Sequence, residues 1–233
     1  MARTPRAVLM DLDNTLYAYD PCNEAGLDAA YAALNASAPL PRERFDALHT
    51  QARDAVHRRL SPQAACHHRL IFFKWMLDAL PAPRAPAGLA LSLYEAYTQA
   101  FLDRMRPHPD AQRVLRGIRE RRMRLALVTN QVAEFQLRKL VRLGLDGVFD
   151  LVMTSEEAGV EKPLPGIFLL TLERLGVAAR DAVMVGDHLV GDVQGAQALG
   201  IRAVHSVEYD PLTLPGIEPD HRIRTLSELL RLW

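Results

Sequence analysis

Short apolar runs typical of β-strands recur along the chain, and helical patterns separate all but the first two of them. Strands that alternate with helices usually pair in parallel, so this pattern predicts an α/β fold in which helices flank a parallel sheet. The predicted strands are Ala7–Asp13, Arg124–Asn130, Phe149–Ser155, Ala182–Asp187 and Arg202–Val207.

About 110 residues separate the first predicted strand from the second, far more than a crossover helix needs. Amphipathic patterns predict helices in this interval, and Pro81 to Gly88 is expected to be a loop between two of them. We therefore expect a helical domain over residues 17–106, inserted into a core formed by residues 1–16 and 107–233, with its exit at RPHPD, Arg106 to Asp110. The helical stretches lie near Glu24–Leu34, Arg42–Leu60, Cys66–Leu80 and Leu89–Met105.

Charge and composition exclude several classes of partner. The 28 basic and 28 acidic residues cancel, so no overall field favours a nucleic acid or an anionic membrane. The sequence contains no apolar run of the roughly 18 residues that a membrane span needs, no signal-peptide core and only two cysteines, Cys22 and Cys66. These features predict a cytoplasmic protein with free thiols, and they leave its oligomeric state open.

Polar side chains follow the predicted strands where the strands end. Because ligands of parallel α/β sheets bind at the carboxyl ends of the strands, these side chains are expected to converge on one site. Several carboxylates at one point repel one another unless a cation lies among them, and a set of oxygen ligands without histidine or cysteine favours Mg²⁺. The remaining donors suit a phosphoryl group. The converging residues are Asp11, Asp13, Thr129, Asn130, Lys162, Asp187 and Asp192.

Each of these features also has a purely structural explanation. The acidic run after the first strand resembles a calcium loop, but Leu16 and Cys22 occupy the positions where an EF-hand needs glycine and glutamate. Thr129 or Asn130 could simply cap the next helix, and Lys162 alone would more often be a surface residue. The joint order of the residues, more than any one of them, indicates an active site.

That order resembles the haloacid dehalogenase superfamily, whose four motifs correspond here to DLDNT, TN, the lysine of GVEKP, and GDHLVGD. The resemblance covers residues 1–16 and 107–233. It implies a Rossmann-like, doubly wound sheet, and it makes the helical insert similar to the first type of cap in that family. His188, where many members have a small hydroxyl residue, is a mild departure.

The resemblance also implies a role for each site residue. Asp11 would be the nucleophile and Asp13 the general acid and base. Asp11, the Asp13 carbonyl and Asp187 would hold Mg²⁺, with Asp192 supporting them less directly. Thr129, Asn130 and Lys162 would bind the phosphoryl oxygens. Dehalogenases of the superfamily lack an aspartate at the position of Asp13, which makes their chemistry less expected here.

The sequence therefore predicts an Mg²⁺-dependent phosphatase that forms a phosphoaspartyl intermediate with a small phosphorylated metabolite. A phospho-accepting receiver-like module and a dehalogenase on the same scaffold are the alternatives. The DNTLY segment is similar to that of some nucleotidases, and it also occurs in sugar-phosphate phosphatases. Substrate contacts are expected in the cap, from among Tyr17, Tyr19, Arg53, His57, Arg58, His67, His68, Arg69 and Lys74.

Overall fold

The computed structural model describes residues 4–80, 87–209 and 211–233. The described chain divides into two compact units, one formed by Met1–Ala18 with Arg106–Trp233 and the other by Tyr19–Met105. The predicted domain boundaries, after residues 16 and 106, remain a prediction. The expected loop from Pro81 to Gly88 lies almost wholly outside the described residues.

The larger unit contains a six-stranded sheet in which every neighbouring pair of strands is parallel. The strands lie in the order β3-β2-β1-β4-β5-β6, so the chain leaves β1 first toward one edge and later toward the other. Ligands of such sheets bind at the carboxyl ends of the strands where this reversal occurs. The strands are β1 Ala7–Met10, β2 Arg124–Thr129, β3 Leu151–Thr154, β4 Ala182–Gly186, β5 Arg202–Ser206 and β6 His221–Ile223.

The two strands at the reversal, β1 and β4, are entirely buried. Their continuous apolar sequences, AVLM and AVMVG, are typical of parallel strands that are covered on both faces. The five predicted strands are present, each one to three residues shorter than expected. The sixth was not predicted, because the three residues of β6 include an exposed histidine and an exposed arginine and form no apolar run.

The described residues of the smaller unit form helices and no β-strand, as the sequence predicts. Its four α-helices are α1 Asp20–Ser37, α2 Arg42–Leu60, α3 Arg69–Asp78 and α4 Ala87–Arg104, and a short 3₁₀ turn, Ala64–His67, precedes α3. A Cβ atom at Gly26 in α1 would collide with the Tyr97 ring of α4, so this glycine permits the two helices to approach closely. Both cysteines are buried, and neither forms a disulfide.

Helices of the larger unit connect its strands. They are α5 Ala111–Glu120, α6 Ala133–Arg142, α7 Ser155–Ala158, α8 Pro165–Leu175 and α9 Gly195–Gln197, and a π-helical turn, Leu189–Gln194, runs directly into α9. Such turns are uncommon and occur often at functional sites. No described helix combines the length and the apolar character that crossing a bilayer requires.

Candidate active site

The first acidic pair lies where β1 ends at the sheet reversal. The Asp11 amide still donates to the Val185 carbonyl of β4 at 2.9 Å, so Asp11 continues the strand direction by one residue. Asn14 then adopts a left-handed conformation with φ of 56°, which asparagine tolerates better than most residues. The chain turns there, and Asp11 and Asp13 mark the end of the strand.

Lys162 lies in the loop that follows α7 and forms the electrostatic centre of the site. Its Nζ donates to Asp11 Oδ1 at 2.6 Å, to Asp192 Oδ1 at 2.6 Å and to the Val128 carbonyl at 2.8 Å. All three ammonium protons are therefore used inside the protein, and the residue is 6% exposed. Burial alone would lower the pKa of Lys162, but the two carboxylates raise it above its ordinary value, so the ammonium stays charged.

Three carboxylates converge beside this lysine. Oxygen atoms of Asp11, Asp187 and Asp192 all lie within 4.8 Å of one another. Burial, against the opposing effect of Lys162 and together with the charges of Asp192 and Asp13, raises the pKa of Asp11 to about 7. Burial, followed by the charges of Asp11 and Asp192, raises the pKa of Asp187 to about 9. One ammonium group is thus too little positive charge for this cluster.

The excess of negative charge in this cluster, and the kind of atoms that carry it, indicate whether the site suits a divalent cation. The donors are carboxylate oxygens only, which is the ligand type that Mg²⁺ prefers, and the local excess of negative charge is what such an ion would neutralise. Asp11 Oδ2 has no hydrogen bond among the described residues, and Asp187 forms no ion pair there. The residues present therefore fit a magnesium ion.

Asp192 reaches the cluster because of the glycine that ends β4. A Cβ atom at Gly186 would fall on the Asp192 carboxylate, so only glycine leaves room for that side chain. Asp192 is 1% exposed, and its second oxygen accepts from the His188 amide at 3.0 Å. His188 in turn caps the π-helical turn, since its Nδ1 accepts from the Gly191 amide at 2.8 Å. The mild departure at His188 thus has a structural role.

The two predicted phosphate ligands after β2 have different surroundings. Thr129 is buried, and its Oγ1 accepts from Gln136 Nε2 at 2.5 Å, which leaves the hydroxyl proton for another acceptor. The Asn130 side chain is paired with the Lys162 backbone: Oδ1 accepts from the Lys162 amide at 2.7 Å, and Nδ2 donates to the Lys162 carbonyl at 3.0 Å. Asn130 therefore positions the loop that carries the lysine.

A second buried lysine, which the sequence did not identify as functional, belongs to the same site. Lys139 in α6 is fully buried, and its Nζ donates to both oxygens of Asp13, at 2.8 and 2.9 Å. Tyr17 donates to Asp13 Oδ1 at 2.5 Å. The chain has only three lysines, and this rarity could have indicated Lys139 from the sequence. Tyr17, predicted as a cap residue, is buried in the larger unit.

The other predicted substrate contacts lie in the helical unit, in different surroundings. Arg53 pairs with the neighbouring Asp54, and Lys74 pairs with Asp78 in partly exposed positions. His68 caps α3, where its Nδ1 accepts from the Leu70 amide at 3.3 Å. The rings of His57 and His67 contact each other edge to face, and Arg58 is exposed. Arg69 and Tyr19 contact each other and line a cavity of this unit.

The sheet reversal, the acidic cluster and the buried lysine define a class of enzyme. Residues 5–200, which are most of the chain, match the family model of haloacid dehalogenase-like hydrolases. The chain belongs to this family, as the four motifs predicted.

The chain is also similar to individual proteins of known sequence or structure. A ribulose-1,5-bisphosphate 5-phosphatase of Halopiger xanaduensis is 41% identical over 97% of this chain and 98% of its own. The crystal structure of a phosphatase of the same family from Thermococcus onnurineus is 30% identical, with a TM-score of 0.77 over 97% of both chains. A magnesium-bound family hydrolase from Bacillus subtilis is 22% identical, with a TM-score of 0.76 over 99% of both chains, and shows the same fold.

Proposed function

We propose that this chain is an Mg²⁺-dependent phosphatase that hydrolyses a small phosphorylated metabolite through a phosphoaspartyl intermediate on Asp11. The chain is a phosphoric monoester hydrolase of the haloacid dehalogenase family. The observation that carries the proposed mechanism is the Asp11 carboxylate, which Lys162 holds by one oxygen while the other has no partner among the described residues.

Asp11 is the proposed nucleophile. Its carboxylate attacks the phosphorus atom, a P–O bond to Asp11 forms, and the P–O bond to the leaving alcohol breaks. The covalent intermediate divides a very slow hydrolysis into two easier steps. Lys162 fixes the direction of the carboxylate and supplies positive charge beside the phosphoryl oxygens, where charge builds up in the transition state.

Asp13 is the proposed general acid and base. It gives a proton to the leaving alkoxide in the first step, and in the second it takes a proton from the water that attacks the phosphorus and releases inorganic phosphate from Asp11. Lys139 and Tyr17 both donate to the Asp13 carboxylate. They stabilise the charged form that remains after proton donation and that accepts the proton from water. Lys139 is thus a positioning residue for Asp13.

The proposed phosphoryl site consists of the remaining donors. The Thr129 hydroxyl retains a proton to donate, because its oxygen accepts from Gln136. Asn130 holds the loop that carries Lys162. Its Nδ2 uses one N–H on the Lys162 carbonyl, and the second N–H can donate to a phosphoryl oxygen. Asp11, Asp187 and the Asp13 carbonyl would hold Mg²⁺, supported by Asp192. The bound ion would neutralise the carboxylates and the phosphate dianion.

A panel of phosphorylated metabolites tests this proposal. Release of inorganic phosphate in the presence of Mg²⁺ would be measured for sugar phosphates, nucleotides and phospho-amino acids. Sugar phosphates come first, because one relative is named for ribulose 1,5-bisphosphate. We expect multiple turnovers on at least one compound. The absence of phosphate release from the whole panel and from para-nitrophenyl phosphate, with folded protein, would refute a phosphatase.

Substitution of the two aspartates tests their division of labour. Asp11→Asn keeps the shape of the side chain but removes the nucleophilic charge, so it should abolish the phosphoenzyme seen by mass spectrometry and nearly all turnover. Asp13→Asn should slow esters with poor leaving groups far more than para-nitrophenyl phosphate, whose leaving group needs little protonation. Equal losses on both types of ester would contradict the role of Asp13 as the acid.

A further inference from the structure

The helical unit contains a cavity of about 390 Å³ that the proposed chemistry does not use. Residues of α1, α2 and α3 line it, and all of them belong to the unit Tyr19–Met105. Its lining combines three arginines with two carboxylates and several aromatic or amide groups. The charged members are Arg42, Arg53, Arg69, Asp20 and Asp46.

Two of these arginines already have carboxylate partners. Arg42 donates to Asp28 at 2.5 Å and to both oxygens of Asp46 at 2.9 Å. Arg53 donates to Asp54 at 3.0 and 3.1 Å. Their charges are therefore largely neutralised by side chains of the same unit, and they explain little of the electrostatic character of the cavity.

Arg69 differs from both. Its hydrogen-bond partners in the described residues are two tyrosine hydroxyls and the carbonyl oxygen of His67, and no carboxylate is among them. Its guanidinium also lies over the rings of Tyr19, Phe72 and Tyr97, with its central carbon 5.4 to 5.9 Å from each ring centre. A guanidinium remains protonated under all ordinary conditions, so the positive charge of Arg69 lies at this cavity without a carboxylate hydrogen-bonded to it in the described residues.

The tyrosines hold this guanidinium in a fixed orientation. Both hydroxyls donate to Asn23 Oδ1, Tyr97 at 2.7 Å and Tyr19 at 3.2 Å, and both accept from Arg69. A guanidinium has five N–H donors, and the described contacts of Arg69 use three of them. One N–H on each terminal nitrogen of Arg69 has no partner among the described residues. Bidentate binding of an oxyanion uses two such parallel N–H donors.

A second polar group of the cavity is also unsatisfied. His49 of α2 is 8% exposed, and its Nε2 is buried without a hydrogen bond in the described residues. The ring contacts Phe45, Phe72 and Phe73. Burial, with Arg69 and Arg53 nearby, lowers the pKa of His49 to about 4, so the ring is neutral and its Nε2 can donate one proton. A buried polar atom of this kind usually has a partner.

We infer that the cavity built on Arg69 and His49 is a binding site for a compact oxyanion group, a phosphate or a carboxylate. The group would accept from the spare N–H bonds of Arg69 and from His49 Nε2. The oxyanion belongs either to the substrate, as a second anionic group, or to a separate anionic effector. The first alternative rests on the proposed phosphatase activity. Both sources share the same chemistry of recognition.

Direct binding tests the site without reference to catalysis. The ring C–H signals of histidine would be followed by NMR in the intact protein while inorganic phosphate is added. The His49 signal would be identified by its absence in His49→Phe. We expect a saturable shift of this signal in the unsubstituted protein that disappears in Arg69→Met. Arg59→Met, which changes an exposed arginine of α2, the helix that contains His49, is the matched control and should retain the shift.

Kinetics then distinguish the two sources. Substrates would be compared in pairs that differ by one anionic group, such as ribulose 1,5-bisphosphate against ribulose 5-phosphate. If the anion belongs to the substrate, Arg69→Met should lower the ratio of the two kcat/KM values roughly 10- to 100-fold, which corresponds to a charge-assisted hydrogen bond. Arg69→Lys should recover part of that ratio, because it retains the charge.

Each outcome has a definite meaning. A phosphate-dependent His49 shift with an unchanged substrate ratio would support the site and assign it to a separate effector. The absence of a saturable shift, together with an unchanged ratio in a folded Arg69→Met protein, would overturn the inference. Failure of every phosphorylated compound to be hydrolysed would refute the proposed phosphatase, while the binding titration would still decide the anion site.

Discussion

Lys162 uses all of its ammonium protons on two carboxylates and a backbone carbonyl, and the residue is almost entirely buried. An arginine there would keep the charge, but its wide planar group could not make the same three contacts. We expect Lys162→Arg to lower kcat/KM about 10²-fold or more. Initial rates would be measured well below the melting temperature, since disruption of a buried network also costs stability.

The exposed Lys74, which pairs with Asp78 on a helix surface, provides the matched control. Lys74→Arg should change neither the kinetics nor the melting temperature appreciably, because exposed ion pairs contribute little. Wild-type kinetics in Lys162→Arg would mean that the phosphoryl site depends on Thr129 and Asn130 instead.

Lys139 lies outside the four family motifs, and its ammonium group is proposed to support the acid-base step of Asp13. Lys139→Met retains the apolar stem but removes the ammonium group that holds both oxygens of Asp13. Turnover of esters with poor leaving groups should fall about tenfold or more, in the same pattern as Asp13→Asn but less severely. Lys74→Met is the control. A uniform loss on all esters, proportional to lost folded protein, would indicate a structural role alone.

At the scale of a secondary-structure element, α2 contains a pH-sensitive position. His49 is buried among aromatic rings, near Arg69, Arg53 and Asp46, and its pKa falls from 6.5 to about 4. The folded protein therefore keeps this ring neutral while the unfolded chain gains a proton below pH 6.5. The contribution of His49 to stability should be complete above pH 6.5 and should be lost as the pH falls from 6.5 to 4, by about 3 kcal/mol.

Denaturant unfolding at several pH values would measure this decline. His49→Phe retains an aromatic ring that cannot be protonated, so its stability should fall less steeply over the same interval. Parallel curves for the two proteins would show that His49 does not couple protonation to the folding of α2.

At the scale of the whole molecule, the acidic cluster joins segments that are far apart in sequence, since Asp11 and Asp187 lie in different strand–loop junctions. A divalent cation that binds only the folded arrangement should raise both activity and melting temperature. We expect EDTA to abolish turnover and to lower the melting temperature, with both effects reversed by added Mg²⁺. Asp187→Asn should remove most of the Mg²⁺-dependent rise in melting temperature.

A magnesium effect on stability that is identical in Asp187→Asn and in the unsubstituted protein would place the ion elsewhere. Undiminished activity in excess chelator would remove the metal from the mechanism. The melting curves make this test independent of substrate choice.

The sequence alone determined the α/β architecture and the order of the chemistry along the chain. Strands such as AVLM and AVMVG are apolar throughout, because both faces of a parallel sheet are covered, and this pattern is visible in the sequence. The carboxylates that follow β1 and β4 could be assigned to one place, since the ends of parallel strands meet at one edge. The helical insert was likewise visible as an amphipathic interval too long for a crossover.

The tertiary structure decided which side chains meet. Lys139 lies 126 residues from the Asp13 that it holds, and no local pattern connects them. No local pattern connects Arg69 with Tyr97 either, because their contact depends on how α3 and α4 pack within the helical unit. The short strand β6 is assigned by its pairing with the edge of β5, because its own three residues form no apolar run. Periodicity reports which face of an element is buried, whereas the partner on that face is set by packing between distant segments.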